Sequence, residues 1–383
     1  MAFALTDARM FIGPRWTDEI ALIIEGDTIK SLMKVSDVPV DMKRASLGGN
    51  ILTPGFIDTQ VNGGGGVLFN DDPTVEGIAK IAEAHRAFGT TAMLPTLISD
   101  DLEVVDRAMR ATEAAIDAGV PGILGIHIEG PFLNERKKGV HDPSKFRTID
   151  EAAFKLLTSL KRGITHVTIA PECTTPEMIR RLTDAGVILS AGHTAASYEE
   201  TRAALDAGLK GFTHLYNAMT ALESRAPGVV GAALESRSAY AGIIVDGFHV
   251  HKASLNVALH AKGADHLMLV TDAMPCVGAA SPNFVLQGRP ITVEHGKATA
   301  PDGTLAGSAL DMASAVKNTH DMLGVSLDAA LRMASGTPAA FLGLTKTYGS
   351  LHAGARADLV ALNDNVEVQG VWIGGKHYQT NQK

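Results

Sequence analysis

Apolar residues along this chain fall into short β-rich runs that alternate with longer stretches in which they recur at helical spacing. From residue 54 onward the runs are GFIDTQVN, TTAMLPTLIS, GILGIHIEGPF, THVTIAPE, GVILSAGHT, GFTHLYNAM, YAGIIVDGFHV and HLMLVTDAM. Between them lie amphipathic segments such as PTVEGIAKIAEAHRAFG and SYEETRAALDAGL, with Ala, Leu and Ile on one face and Gly near the stop. Eight strand-then-helix units predict an α/β fold, a (β/α)8 TIM-like barrel over residues 54–346. A doubly wound open sheet has the same alternation, but it gathers its chemistry at one switch point. Here polar side chains close many runs: Gln60, Asn62, Glu129, Glu172, His193, His214, His249 and Asp272. In a barrel those strand ends share one face.

The flanks, residues 1–53 with ALIIEGDTIKSLM and 347–383 with ARADLVALNDNVEVQGVWIGGKHY, alternate with a period of two and carry turn signals. They are expected to pair into one small β-sandwich domain built from both chain termini. NFVLQGRPITVEHGKATAPDG predicts a β-hairpin insertion near 280–306, after the last barrel strand. NGGGG at 62–66 reads as a mobile loop rather than a phosphate cradle, because no Lys-Ser/Thr follows it.

With 383 residues, 45% of them hydrophobic and 20% charged, the chain suffices for one large core and a smaller second one. Net charge is -8 and the basic residues are scattered among acids, so neither nucleic acid nor an anionic membrane is an expected partner. No apolar segment reaches the roughly 18 residues of a membrane span, and the start lacks a secretory pattern, so a cytoplasmic protein is expected. Cys173 and Cys276, the two cysteines, are expected to be free thiols.

Glu129 closes an apolar run with no Lys or Arg in its own strand. A carboxylate buried there costs several kcal/mol unless a positive charge compensates it. Glu129, His193 and His214, ending the third, fifth and sixth strands, converge on one point in a closed barrel. Carboxylate and imidazole suit a borderline divalent cation, zinc first, with Fe2+, Mn2+ or Co2+ compatible. Any one of the 14 histidines is weak evidence; the joint pattern carries the argument. Asp272 in VTDAM suits a base that takes the proton of an attacking water and returns it to the leaving group. Read alone, it is equally a turn or helix-capping aspartate. His127 points to the same barrel side one layer deeper and is assigned to the core or the surroundings of the metal.

PGFIDTQVNG, HIEGPFLNERKKGVH, SAGHT, THLYNAM, DGFHV, VTDAM and LAGS together resemble, in order and over nearly the whole chain, the N-acetylglucosamine-6-phosphate deacetylase family of the amidohydrolase superfamily. HIEGPFLN and THLYNAM are specific to that family, whereas a terminal-strand Asp or a split β-sandwich marks only the superfamily. The resemblance implies hydrolysis of the N-acetyl group of N-acetyl-D-glucosamine 6-phosphate, with Glu129, His193 and His214 holding one divalent metal and Asp272 as general base and acid. It implies further that His141 polarises the acetyl carbonyl and that Asn217, Ala218 and His249 meet the sugar phosphate. Arg225 in SRAPG is similar to an arginine that reaches the phosphate from the neighbouring subunit, which implies a homodimer. Without the resemblance, His141 is a loop histidine and Arg225 a surface arginine.

Many superfamily members carry His-x-His at the end of the first strand for a second metal, where this chain has Gln60-Val61-Asn62. Amides are poor zinc ligands beside imidazole. One metal per subunit is therefore expected, with Gln60 outside the ligand set or touching the metal through water. The alternatives are another hydrolase of the superfamily, such as an N-acetylgalactosamine-6-phosphate deacetylase, a cyclic-amide hydrolase or a deaminase, and a non-catalytic barrel that binds metal structurally.

Overall fold

The computed structural model describes residues 2–12 and 15–379; residues 1, 13, 14 and 380–383 of the predicted flanks lie outside the described residues. Eight parallel strands pair in chain order: Phe56–Val61, Thr90–Ile98, Gly125–Glu129, Ile164–Ile169, Ile188–Ala191, Gly211–Phe212, Tyr240–Ile243 and Leu267–Leu269. The second of these is buried at every residue, which is why it reads as an unbroken apolar run. The seam between the eighth and first strands closes just beyond the end of the eighth, where Asp272 N donates to Gln60 O at 3.0 Å and Asn62 N to Ala273 O at 2.9 Å. Asp58, buried in the first strand, ties the same seam by accepting the Thr271 hydroxyl at 2.5 Å. This is the expected (β/α)8 barrel.

Side-chain caps set where the outer helices start. Thr74, Asp150, Thr175 and Asp311 each accept a backbone N–H of the helix that follows, and Ser197 and Glu200 cap the helix Tyr198–Asp206 reciprocally. Such a cap stabilises its helix by about 1 kcal/mol. Inside the barrel lies a polar layer. His127 and His166 stack with ring centroids 4.2 Å apart, and His127 is bonded through Nε2 to Thr168 Oγ1 at 2.8 Å. Burial pushes His127 down to about 4, so it is a neutral core residue, as its position below Glu129 suggests.

Both termini build the expected sandwich. One sheet orders Thr28–Lys34, Ile20–Glu25, Ala2–Thr6 and Lys43–Ser46; the other orders Lys376–Tyr378, Val368–Ile373, Leu359–Leu362 and Ile51–Pro54. Leu5, Leu22 and Ile29 from the first pack with Leu52, Leu359, Ala361 and Trp372 from the second. The alternate residues Ile51, Val360, Leu362, Val371 and Ile373 point the other way, into the barrel's own core. The second sheet is therefore a wall shared by two cores.

The segment after the barrel's last strand folds as three antiparallel strands, Phe284–Leu286, Arg289–Glu294 and Lys297–Thr299, one more than a hairpin. Both turns are two-residue loops with positive φ, Gln287-Gly288 and His295-Gly296. Its Leu286, Ile291 and Ala298 pack with Leu68, Ile98 and Met274 near the ends of the barrel strands. The NGGGG run departs from the mobile loop expected. Gly63–Gly64 pairs with Val67–Leu68, Gly65 N and Gly66 N each donate at 2.8 Å to Val277 O and Pro275 O, and His85 Nε2 donates to Gly63 O at 2.9 Å. A Cβ on Gly64 would stand 2.9 Å from that imidazole, so the glycine serves close approach. Among the described residues no helix is long and apolar enough to cross a membrane.

Candidate metal centre and active site

Glu129 is the last residue of the third barrel strand, whereas His193, His214 and Asp272 stand on turns just past the fifth, sixth and eighth. All three of these turn residues have positive φ, at 48°, 31° and 52°. Such backbone costs on the order of 1–3 kcal/mol at a non-glycine residue and persists only where the surroundings over-determine it. Here it brings distant side chains together. Glu129 Oε1 lies 3.0 Å from His214 Nε2 and 3.4 Å from His193 Nε2, and the two ring nitrogens are 3.0 Å apart. All three residues are buried, with their ligand atoms within 4.8 Å of one another.

His193 Nδ1 donates to Lys137 O at 2.8 Å, which turns a lone pair on Nε2 toward the cluster. Two imidazoles and one carboxylate, with no fourth ligand grouped with them among the described residues, are a donor set that fits a catalytic divalent cation. Burial alone would raise the Glu129 carboxyl, but hydrogen bonding with His193 and His214 holds it well below the usual range.

Asp272 has different company. Gln60 Nε2 donates to both Glu129 oxygens, at 3.2 and 3.1 Å, and to Asp272 Oδ1 at 3.1 Å; Asn62 Nδ2 donates to the same Asp272 oxygen at 2.6 Å. Gln60 thus spans the two carboxylates directly. Burial and the nearby Glu129 carboxylate push Asp272 up to about 6, although His214, His249 and Asn62 pull the other way.

His141 lies beside His193, with ring centroids 4.4 Å apart. Its Nδ1 faces Ser99, with Oγ at 2.8 Å and the backbone N at 3.3 Å. A backbone N–H can only donate, so Nδ1 accepts and the ring proton sits on Nε2. Burial, followed by the neighbouring His193, pushes His141 down to about 3, leaving a neutral N–H donor.

Glu129, His193, His214 and Asp272 line one cavity of about 220 Å³ together with His141, Asn217, Ala218 and His249. Thr304 and Leu305 wall it from the segment that follows the three-stranded insertion. Arg225 is exposed and does not line it. Glu172 also stays outside, accepting Thr194 Oγ1 at 2.5 Å and Ala195 N at 2.6 Å and so bracing the turn that carries His193. Cys173 and Cys276 are free, and burial pushes the Cys276 thiol up to about 11. Sequence reasoning passed over Ser99, Asp58 and Asp246. The first two sit in or just after barrel strands whose apolar pattern hid them. Asp246 opens DGFHV, where the resemblance points only to the histidine.

The amidohydrolase family matches residues 51–377, and the NagA composite domain matches residues 2–52. An N-acetylgalactosamine-6-phosphate deacetylase of Shewanella sp. (strain ANA-3) is 48% identical over 86% of this chain and 84% of its own length. An N-acetylglucosamine-6-phosphate deacetylase of Haemophilus influenzae is 35% identical over 98% of this chain and 99% of its own. The crystal structure of N-acetylglucosamine-6-phosphate deacetylase from Pasteurella multocida superposes with a TM-score of 0.96 at 36% identity, covering 99% of this chain and 100% of that one. A mutant of the Mycobacterium smegmatis deacetylase, in complex with N-acetyl-D-glucosamine-6-phosphate, superposes at 0.90 with 33% identity over 98% and 99% of the two chains.

Proposed function

Because the chain belongs to the amidohydrolase family, we propose that it hydrolyses the N-acetyl group of N-acetyl-D-glucosamine 6-phosphate, giving D-glucosamine 6-phosphate and acetate. The observation that carries this reading is the single cavity in which Glu129, His193 and His214 converge beside a hydrogen-bonded Asp272. Glu129, His193 and His214 hold one divalent ion per subunit, zinc first, with Fe2+, Mn2+ or Co2+ compatible. When bound, that ion polarises the acetyl carbonyl and makes water a stronger acid.

The protein's own groups do the rest. Asp272 takes the proton of the attacking water and returns it to the departing amine nitrogen, a task suited to a carboxyl near 6 held by Gln60 and Asn62. His141 donates its Nε2–H to the acyl oxygen as negative charge develops there. Asn217, Ala218 and His249 receive the sugar phosphate. Arg225, exposed in its own subunit, completes the phosphate site of the partner in a homodimer. A guanidinium suits a phosphate dianion and supplies positive charge that this acidic chain otherwise lacks. The chemistry belongs to residues 54–346, with 1–53 and 347–383 as the sandwich domain, and free thiols favour the cytoplasm.

A second reading exchanges the sugar for its C4 epimer, and the 48% identity to the Shewanella enzyme favours it. Acetate release from both sugar phosphates and from unphosphorylated N-acetylglucosamine decides. The expected order of kcat/KM is glucosamine phosphate, then galactosamine phosphate, then the free sugar. Faster turnover of the galactose epimer installs the second reading, and no turnover of either phosphate removes both.

A further inference from the structure

The segment after the seventh barrel strand, Asp246-Gly247-Phe248-His249, sends its histidine to the cavity wall and turns its aspartate back on itself. Asp246 Oδ1 accepts the backbone N–H groups of Phe248 and His249 at 2.8 and 2.9 Å, while Oδ2 accepts the Nδ1–H of His249 at 2.6 Å. Both side chains are buried, His249 at 7% exposure and Asp246 at 6%. Burial would raise the Asp246 carboxyl, yet the His249 hydrogen bond holds it below its ordinary range.

A carboxylate bonded three times in this way fixes both the rotation of the ring and its tautomer. Nδ1 carries a proton, so Nε2 is the nitrogen left to meet a ligand. An imidazolium lying between a carboxylate and a phosphate makes a charge-assisted hydrogen bond to each.

We propose that Asp246 is a positioning residue: it holds His249 so that Nε2–H is presented to the anionic end of the substrate, and thereby sets the preference for phosphorylated over unphosphorylated amino sugars. This rests on the sugar-phosphate reading above. The informative variant is Asp246→Asn, which keeps an oxygen for the two backbone N–H groups but turns an NH2 toward Nδ1.

Histidine 15N spectra should show Nδ1 of His249 protonated in the wild type and unprotonated in the variant. KM for N-acetylglucosamine 6-phosphate should rise about ten-fold, the worth of one charge-assisted hydrogen bond, with kcat moving less than KM and KM for the free sugar moving less still. His249→Ala should show the same split, and the double variant should add nothing further. Losses that add in the double variant, equal losses on phosphorylated and free sugar, or an unchanged Nδ1 signal overturn the proposal. If the wild type leaves the sugar phosphate intact, the functional reading fails separately. Calorimetry with glucose 6-phosphate then decides the role of Asp246: an affinity about ten-fold weaker in Asp246→Asn sustains it, and an unchanged affinity ends it.

Discussion

Glu129 meets two imidazoles across the barrel mouth, whereas Asp272, in the same cavity, meets the amides of Gln60 and Asn62. Imidazoles bind cations and exchange protons. The amides here donate an N–H and stay neutral. The two imidazoles hold the first carboxyl well below its usual range against its burial, whereas burial and the Glu129 charge push the second up to about 6 and the Asn62 amide pulls it only partly back. Two acids on one barrel face thus acquire separate tasks, one suited to holding a cation and one to moving a proton, through the residues placed beside them. Gln60 touches both carboxylates and couples the two sides without adding charge.

The comparison breaks most visibly at Asp272. Asp272→Asn should lower kcat by about three to four orders of magnitude while bound metal stays at the wild-type level; acetate release and elemental analysis test this, and retention of most of the activity would take proton transfer away from Asp272. Glu129→Gln should do the opposite, losing metal affinity by roughly a hundred-fold or more, as read by competition with a chelator; unchanged affinity would mean the cation sits elsewhere. Ser99→Ala should cost about ten-fold in kcat with little change in KM, because the backbone N–H of Ser99 still bonds Nδ1 of His141.

The smallest effect concerns stability on the amide side. Burial pushes Asp58 up from 3.8 to about 7, partly offset by the Thr271 hydroxyl. Its folded value lies above its unfolded one, so its stabilising contribution is complete below about pH 4 and is lost as pH rises through about 7. Asp58→Asn, which has the shape of the neutral acid, should flatten that part of the curve by on the order of a few kcal/mol. Urea melts at about pH 4.5 and about pH 8 check this, and an unaltered difference between them would count against a neutral Asp58.

Much of this arrangement is legible in the sequence. Eight apolar runs with polar ends imply convergence, and Glu129, His193 and His214 do converge. What hydrophobic patterning cannot register is where the strands stop. The fifth, sixth and eighth end at Ala191, Phe212 and Leu269, so His193, His214 and Asp272 ride on left-handed turns rather than on strands. Ser99 escaped notice because its role depends on His141, 42 residues further along. Asp246 was hidden in plain view, since an Asp that bonds backbone N–H groups two and three residues on is a local turn signal. The glycines at 63–66 misled because a run of glycine serves flexibility and close packing equally, and here His85 occupies the room they leave.

The wall shared by the two cores also governs the order of events during synthesis. Ile51–Pro54 leaves the ribosome long before its sheet neighbour Leu359–Leu362. Until then Ile51 and the start of the barrel around Phe56 and Gly89 lack the cover that Val360 provides. The barrel therefore completes its packing only once residue 362 has emerged, and a chain cut short before residue 359 displays a bare apolar flank to chaperones and proteases.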